Sequence, residues 1–433
     1  MKRLFVLLFV LSLFAFLSCE KKEEEPPVSA PTADEIARDK LYSVMKSYYL
    51  WDKLMPVVIK EGYPGPYELL EAMRYKKLDR WSYVQHYEDY VAQSQAIFVG
   101  HGIRIGLDRT NKTRIAQIYN KSPMYAFGVR RGWIIKKLNG TDLASIFIAG
   151  DGTAYRDLIG PSQAGITNKF LFETPEGKDS TITTTKSTFT LNTVLHYDTL
   201  ILKSGVTGHL VFEQFVQPSN AELETAFTFF KQHNINNIIV DLRYNGGGDI
   251  TVLQNLAAYI AGSSRFGKPF LNFKHNEQQS ENNKTYNFST VTSPVSVTKM
   301  VAITTRSTGS ASEDLINGLK PFIEVKTIGD TTNGKPVGMY GFKHNVAYMF
   351  WPISFELKNT LGEGDFYDGF TPEKYVPDDI THDWGDRNEA CLKEAIYYLE
   401  NGSVSAKGLY NYQRSVQFTE SPDRINDAYL IEY

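Results

Sequence analysis

INNIIVDLRYNGGGD, residues Ile235 to Asp249, carries an apolar, β-branched run straight into three consecutive glycines. Such a run reads as a buried strand. The glycines end it and let the backbone pass close to another group, aiming an N–H where a side chain would otherwise stand. Working outward, the pattern alternates. GHLVFEQF is a strand, and PSNAELETAFTFFKQHN is a helix with Ser219 and Glu222 at capping-box spacing. Beyond the glycines, ITVLQNLAAYIAG is a helix closed by Gly262, KMVAITTRS a strand, SASEDLINGLKP a helix and VKTIGD a strand. GDRNEACLKEAIYYLENG is an amphipathic helix with Gly402 past its end. Strands alternating with helices predict an α/β core over residues 194–402.

The last strand leads into GDTTNGKP, Gly329 to Pro336. Its G-x-x-x-x-G-K spacing stops one residue short of a phosphate-binding P-loop. That loop needs a Ser or Thr hydroxyl after the lysine to ligate magnesium, and Pro336 offers none. Lys335 therefore serves another purpose. Twenty-five residues upstream lies Ser310, in STGSASED, between a strand and a helix. Ser310 and Glu313 have capping-box spacing. A serine at a strand-to-helix turn is also placed as a nucleophile, beside N–H groups and a helix dipole that stabilise negative charge.

The glycine loop D-L-R-x-N-x-G-G, S-A-S-E at Ser310 to Glu313 and N-G-K at Lys335, in this order, resemble the C-terminal processing peptidases, or tail-specific proteases. The resemblance covers most of the chain. It implies a mixed α/β, multidomain protein: a crotonase-like ββα catalytic core, a PDZ domain and a small helical N-terminal domain. It implies a serine endopeptidase that cuts peptides or proteins near their free C-termini, with Ser310 as nucleophile and Lys335 as general base. The N–H groups of Ala311 and Gly247 form the oxyanion hole, with Gly246 the alternative second donor.

A lysine base must be neutral. With an ordinary pKa near ~10.4, only about one lysine in 2,500 is neutral at pH 7, and burial raises that share. One position departs from the family. Many members carry a Gln four residues after the lysine; here it is Met339, and no Gln lies between Lys335 and Phe350. This motivates a second reading, a catalytically weak or inactive peptide-binding protein on the same scaffold. A non-peptidase hydrolase is the third. As alternative bases, His196, His209, His233, His275, His344 and His382 lie in the core, His344 nearest Lys335 in sequence, and none sits in a recognisable motif. There is no H-E-x-x-H and no cysteine pair, so no metal or other cofactor is expected.

The remaining segments give organisation. Lys2 and Arg3 precede an apolar run from Leu4 to Leu17, too short for a membrane span and suited to a signal peptide. Leu17-Ser18-Cys19 resembles a bacterial lipoprotein signal, which implies lipid on Cys19 and attachment to a membrane of the cell envelope. The only other cysteine is Cys391, so no disulfide is expected, and Cys391 reads as a buried apolar residue. EKKEEEPPVSAPT, residues 20–32, reads as a flexible tether. Its acidic run resembles signals that send some Bacteroidetes lipoproteins to the outer face of the outer membrane.

Residues 33–96 keep helical spacing at Ile36, Leu41, Val44, Met45 and Tyr48 and predict a small helical domain. Residues 97–193 alternate in FVGHGIRIGLD, turn at Ser122-Pro123 and Gly128, and carry a hairpin signal at Asn139-Gly140. That order resembles a protease-associated PDZ domain, with Trp133 in place of the usual Asp and a longer connection between Leu143 and Asn168. PDZ domains bind peptide termini by strand addition. Residues 403–433 form a tail with no assigned role. With 46 Lys and Arg against 49 Asp and Glu, the net charge of −3 gives no basis for a nucleic-acid partner. The oligomeric state is not encoded in any recognisable pattern.

Overall fold

The structure is a computed structural model, and it describes residues 30–345, 347–406 and the backbone of 417–419. Cys19, the signal segment and most of the tail lie outside the described residues. Among the described residues no helix is long and apolar enough to cross a membrane.

The fold is mixed α/β. At its centre is a six-stranded sheet in the order Val194–Leu202, Gly205–Phe212, Asn237–Asp241, Lys299–Thr304, Glu324–Gly329 and Lys374–Tyr375. The first pair is antiparallel and all later pairs are parallel. Ile238 and Val240 face one core, with helices Ser219–Gln232, Ile250–Ala261 and Ala311–Leu319. Ile239 faces the other, against helix Ala390–Asn401. Burial on both faces is why this strand reads as an unbroken apolar run. Cys391 is buried in the second core, as expected. A four-stranded sheet, Lys284–Asn287, Pro269–His275, Ile353–Asn359 and Val337–Met339, adds Phe270, Phe273 and Phe355 to the first core.

The capping box expected at Ser219 and Glu222 does not form. The N-cap is Pro218, and the Ser219 hydroxyl donates to Gln214 O at 2.8 Å. Glu222 Oε2 instead accepts the N–H groups of Thr193 and Val194 at 2.7 and 2.8 Å. Thr193 precedes the strand and Val194 enters it next to a bulge, and Glu222 serves these two N–H groups in place of the helix end.

Residues 33–96 contain helices Ala33–Tyr48, Pro66–Met73 and Tyr87–Ser94, but also a strand, Tyr83–His86. That strand pairs with Tyr348–Trp351, and the apolar faces of the helices share one core with Val337, Met339, Phe350 and Ile353. The segment therefore packs both on itself and on the strands between residues 337 and 353.

Residues 103–185 build another sheet, Ile103–Leu107, Thr113–Ile118, Ile134–Leu138, Thr167–Glu173 and Asp179–Thr185, around Ile105, Ile115, Phe170 and Phe172. Asn139 and Gly140 turn the expected hairpin with φ of 49° and 88°. The long connection holds two short helices, Leu143–Ala149 and Gly152–Ile159. The Gln417–Thr419 backbone pairs antiparallel with Arg104–Gly106, at the edge of this sheet.

Candidate active site

Three loops leave the C-terminal ends of adjacent parallel strands and meet there. The glycine loop follows Asn237–Asp241, the serine turn follows Lys299–Thr304, and the lysine loop follows Glu324–Gly329. Open parallel sheets place their sites at this end. Gly309 N–H donates to Asn245 O at 3.1 Å, and Asn333 N–H donates to Thr308 O at 2.8 Å. Thr308 Oγ1 donates to Leu242 O at 2.7 Å, and Ser312 Oγ donates to Asn245 O at 3.0 Å.

Ser310 caps helix Ala311–Leu319 with φ 50° and ψ −120°. A non-glycine residue here is strained by about 1–3 kcal/mol, and such strain persists only where the surroundings impose it. Glu313 imposes it. Its Oε2 accepts the N–H groups of both Ser310, at 3.0 Å, and Lys335, at 2.8 Å. Its Oε1 accepts Gly334 N–H at 2.7 Å and the Thr332 hydroxyl. One carboxylate thus ties the serine turn to the lysine loop. Burial pushes its pKa up to about 7, against the pull of these hydrogen bonds. Asp314 is also held well above the usual carboxylate range, by burial and by Glu313, and the Lys335 charge opposes this.

Lys335 is 1% exposed, and its Nζ lies 4.0 Å from Met339 Sδ. A buried amine is easier to hold neutral than a solvated one. The lysine loop is also gripped by the N-terminal segment. Arg80 donates to Tyr367 O at 2.9 Å and Asn333 O at 3.3 Å, and Trp81 Nε1 donates to Asn333 Oδ1 at 3.2 Å. Gly334, with φ 89°, has no room for a side chain, since a Cβ would stand 2.2 Å from Tyr367 O.

In the glycine loop, Gly247 has φ 111° and its N–H donates to Asn245 Oδ1 at 2.8 Å. Among the described residues, the Gly246 N–H meets no acceptor. Ala311 is the first residue of its helix, where an N–H has no intrahelical acceptor. The loop is braced below by Arg243, which pairs with Asp241, Asp378 and Glu389 at 2.7 to 2.9 Å. This is the physical content of the D-L-R part of the motif. Arg131, between strands Thr113–Ile118 and Ile134–Leu138, shares Asp378 at 3.0 Å.

Among the described residues no histidine is hydrogen-bonded to Ser310. His275 is held by Asn283 and Tyr340, and His382 by Asp379. His233 bonds the main chain at Phe229 O, and His344 stacks on Phe350. His196 and His209 meet at Asp198. The sequence reading named Glu313 only as a capping partner and missed Arg80, Trp81 and Asp314. S-x-x-E followed by a second acid was the available signal for the carboxylates. Arg80 and Trp81 gave none, being about 250 residues from their partners.

Residues 206–346 match the model of peptidase family S41, and residues 37–83 match that of the peptidase S41 N-terminal domain. The chain is similar to this peptidase family over both spans. It is a serine-type peptidase, and the first matched span contains Gly247, Ser310, Ala311 and Lys335. The fold is shared with a crystal structure assigned as an S41 protease from Bacteroides fragilis. That pair is 21% identical with a TM-score of 0.71, covering 87% of this chain and 99% of the other. A photosystem II D1 C-terminal processing protease is 18% identical with a TM-score of 0.49, covering 84% and 97%. No curated protein matches the chain.

Proposed function

We propose that the peptidase is an exported, lipid-anchored endopeptidase that cuts proteins or peptides near their free C-termini through a Ser310–Lys335 dyad. The observation that carries this reading is the shared Glu313 Oε2, which fixes the two backbones relative to each other. In the reaction, Ser310 Oγ attacks the scissile carbonyl carbon and its proton passes to Lys335 Nζ. The oxyanion takes the N–H of Ala311 and one from the glycine loop. Gly247 fills that place once its N–H leaves Asn245, and Gly246 fills it directly. The C–N bond then breaks and Lys335 returns the proton to the leaving amine. Water attacks the acyl ester, gives its proton to Lys335, and Ser310 is regenerated.

Residues 97–193 act as a PDZ domain that captures substrate tails. The strand added by Gln417–Thr419 along Arg104–Gly106 supports this, because it uses the edge that a bound peptide would use. We keep the partition 33–96, 97–193 and 194–402, with the first unit docked on the third. Lipid on Cys19 holds the chain in the cell envelope, and the acidic tether fits surface exposure. Radiolabelled palmitate incorporated by wild type and not by Cys19→Ala would support the anchor, and equal labelling would remove it.

Met339 beside Lys335 Nζ favours the second reading, a binding protein with a weak dyad. Covalent labelling of Ser310 by a fluorophosphonate separates the two. Labelling with turnover of C-terminal peptides supports the peptidase. Peptide binding without labelling supports the binder.

A further inference from the structure

A second polar cluster lies at the antiparallel edge of the central sheet. His196 and Asp198 alternate with Tyr197 on strand Val194–Leu202 and so share a face. The register sets Asp198 directly opposite His209 on strand Gly205–Phe212. Three ligand-bearing side chains therefore converge on one face of one hairpin. Their nearest donor atoms all lie within 4.8 Å of one another.

Among the described residues, and apart from the 3.4 Å approaches to Asp198, these polar atoms have no hydrogen-bond partner. His209 is 1% exposed, yet neither of its ring nitrogens has a hydrogen-bond partner. His196 Nε2 and Asp198 Oδ1 are also buried without one. The separations explain why. His209 Nδ1 is 3.4 Å from Asp198 Oδ1, and His196 Nε2 is 3.4 Å from Asp198 Oδ2. That is outside the ~2.7–3.2 Å of an N–H···O hydrogen bond. Each distance is close to the ~3.3–3.6 Å edge between two ligands ~2.0–2.2 Å from one tetrahedral ion, although the two run to different Asp198 oxygens. An unpaired buried imidazole is otherwise costly.

The loop over the cluster fits an ion as well. Gly385 has φ 83°, and a Cβ there would stand 2.7 Å from His196 Nε2 and 3.3 Å from Asp198 Oδ2.

We propose that His196, Asp198 and His209 form a structural site for a borderline divalent cation, Zn²⁺ being the ion that two imidazoles and one carboxylate suit best, with water completing it. The site would stand beneath the loop 381–386, whose Gly385 packs against His196. That loop also meets the sheet of residues 103–185, since Arg131 Nε donates to His382 O at 3.1 Å and its guanidinium lies 4.0 Å from the Trp384 ring. The ion would thus stiffen the joint between the substrate-capturing and catalytic parts without touching Ser310.

The test uses the detergent-solubilised mature chain, stripped with a chelator and titrated with Zn²⁺ against a fluorescent chelator. Binding of one ion per chain is expected, with a raised melting temperature. Asp198→Asn, which keeps the side-chain volume, and His196→Gln, at the half-buried rim, should each weaken binding by ~10-fold or more, the scale on which altered metal sites lose affinity. Ser310→Ala should leave it unchanged. X-ray absorption should show nitrogen and oxygen ligands at ~2.0–2.1 Å. Absence of saturable binding in wild type would overturn the proposal, as would equal binding in both cluster variants. The cluster would then be a proton-sharing His–Asp–His group alone.

Discussion

Glu313 and Asp198 are carboxylates at two margins of one sheet, and they are treated in opposite ways. Glu313 is fully buried and accepts from Ser310, Thr332, Gly334 and Lys335, so every neighbouring donor is answered from within the chain. Asp198 faces two imidazoles at 3.4 Å, and among the described residues their buried nitrogens make no hydrogen bond. A fully satisfied buried network fixes geometry, which a proton-transfer dyad needs. The unanswered atoms around Asp198 are where the proposed ion would bind. The contrast separates the part of the molecule that works on substrate from the part that waits for a ligand.

The comparison can be broken first at Glu313. Glu313→Gln keeps the shape but turns an amide N–H₂ toward N–H donors. The peptidase rate should fall by about 100-fold, the scale of a 1 Å misplacement of catalytic groups. A rate within threefold of wild type would show that Glu313 does not hold the dyad together. Next in size is Gly334→Ala, which drives a Cβ toward Tyr367 O. Denaturant unfolding should show a loss of about 1–3 kcal/mol, the usual scale of imposed backbone strain. An unchanged midpoint would mean that the lysine loop is loosely held.

Titration sharpens the same contrast. Glu313 binds its proton more tightly in the folded chain, with a pKa raised from 4.5 to about 7. Its contribution to stability is complete below the ordinary value and is lost as pH rises through about 7, since folding then carries a buried charge. Asp314, also raised, adds a fall of the same sign. Activity should move the other way, because the ionised carboxylate is the form that accepts all four donors. Unfolding midpoints at pH 5 and pH 8 should therefore differ more in wild type than in Glu313→Gln. Equal differences would count against the shift. The smallest effect is expected from Met339→Gln, which offers Lys335 an amide oxygen. A gain of about fivefold in kcat is expected, the worth of one net hydrogen bond of about 1 kcal/mol. A loss would mean that Asp314 already orients the amine.

Much of this was legible in the chain. The apolar run at Ile238 to Val240, the three glycines, Ser310 and Lys335 are local patterns, and the structure brings their loops to one sheet edge. What escaped is long-range. A strand at Tyr83–His86 hides in a helical-looking segment because its partner, Tyr348–Trp351, supplies the pairing. The H-x-D of His196 and Asp198 has meaning only once the hairpin register sets His209 opposite. Ser219 followed its local rule until the N–H groups of Thr193 and Val194 claimed Glu222. Each miss is a case where a distant partner outweighed a local preference.

The most direct test of the dyad is cleavage of a denatured protein and of C-terminal peptides at pH 6 to 10 by wild type, Ser310→Ala and Lys335→Ala. The expected result is a wild-type rate that rises with pH, cut sites clustered near C-termini, and loss of activity in both variants. Cleavage surviving in Lys335→Ala, or a wild type that binds the peptides and cuts none of them, would contradict it.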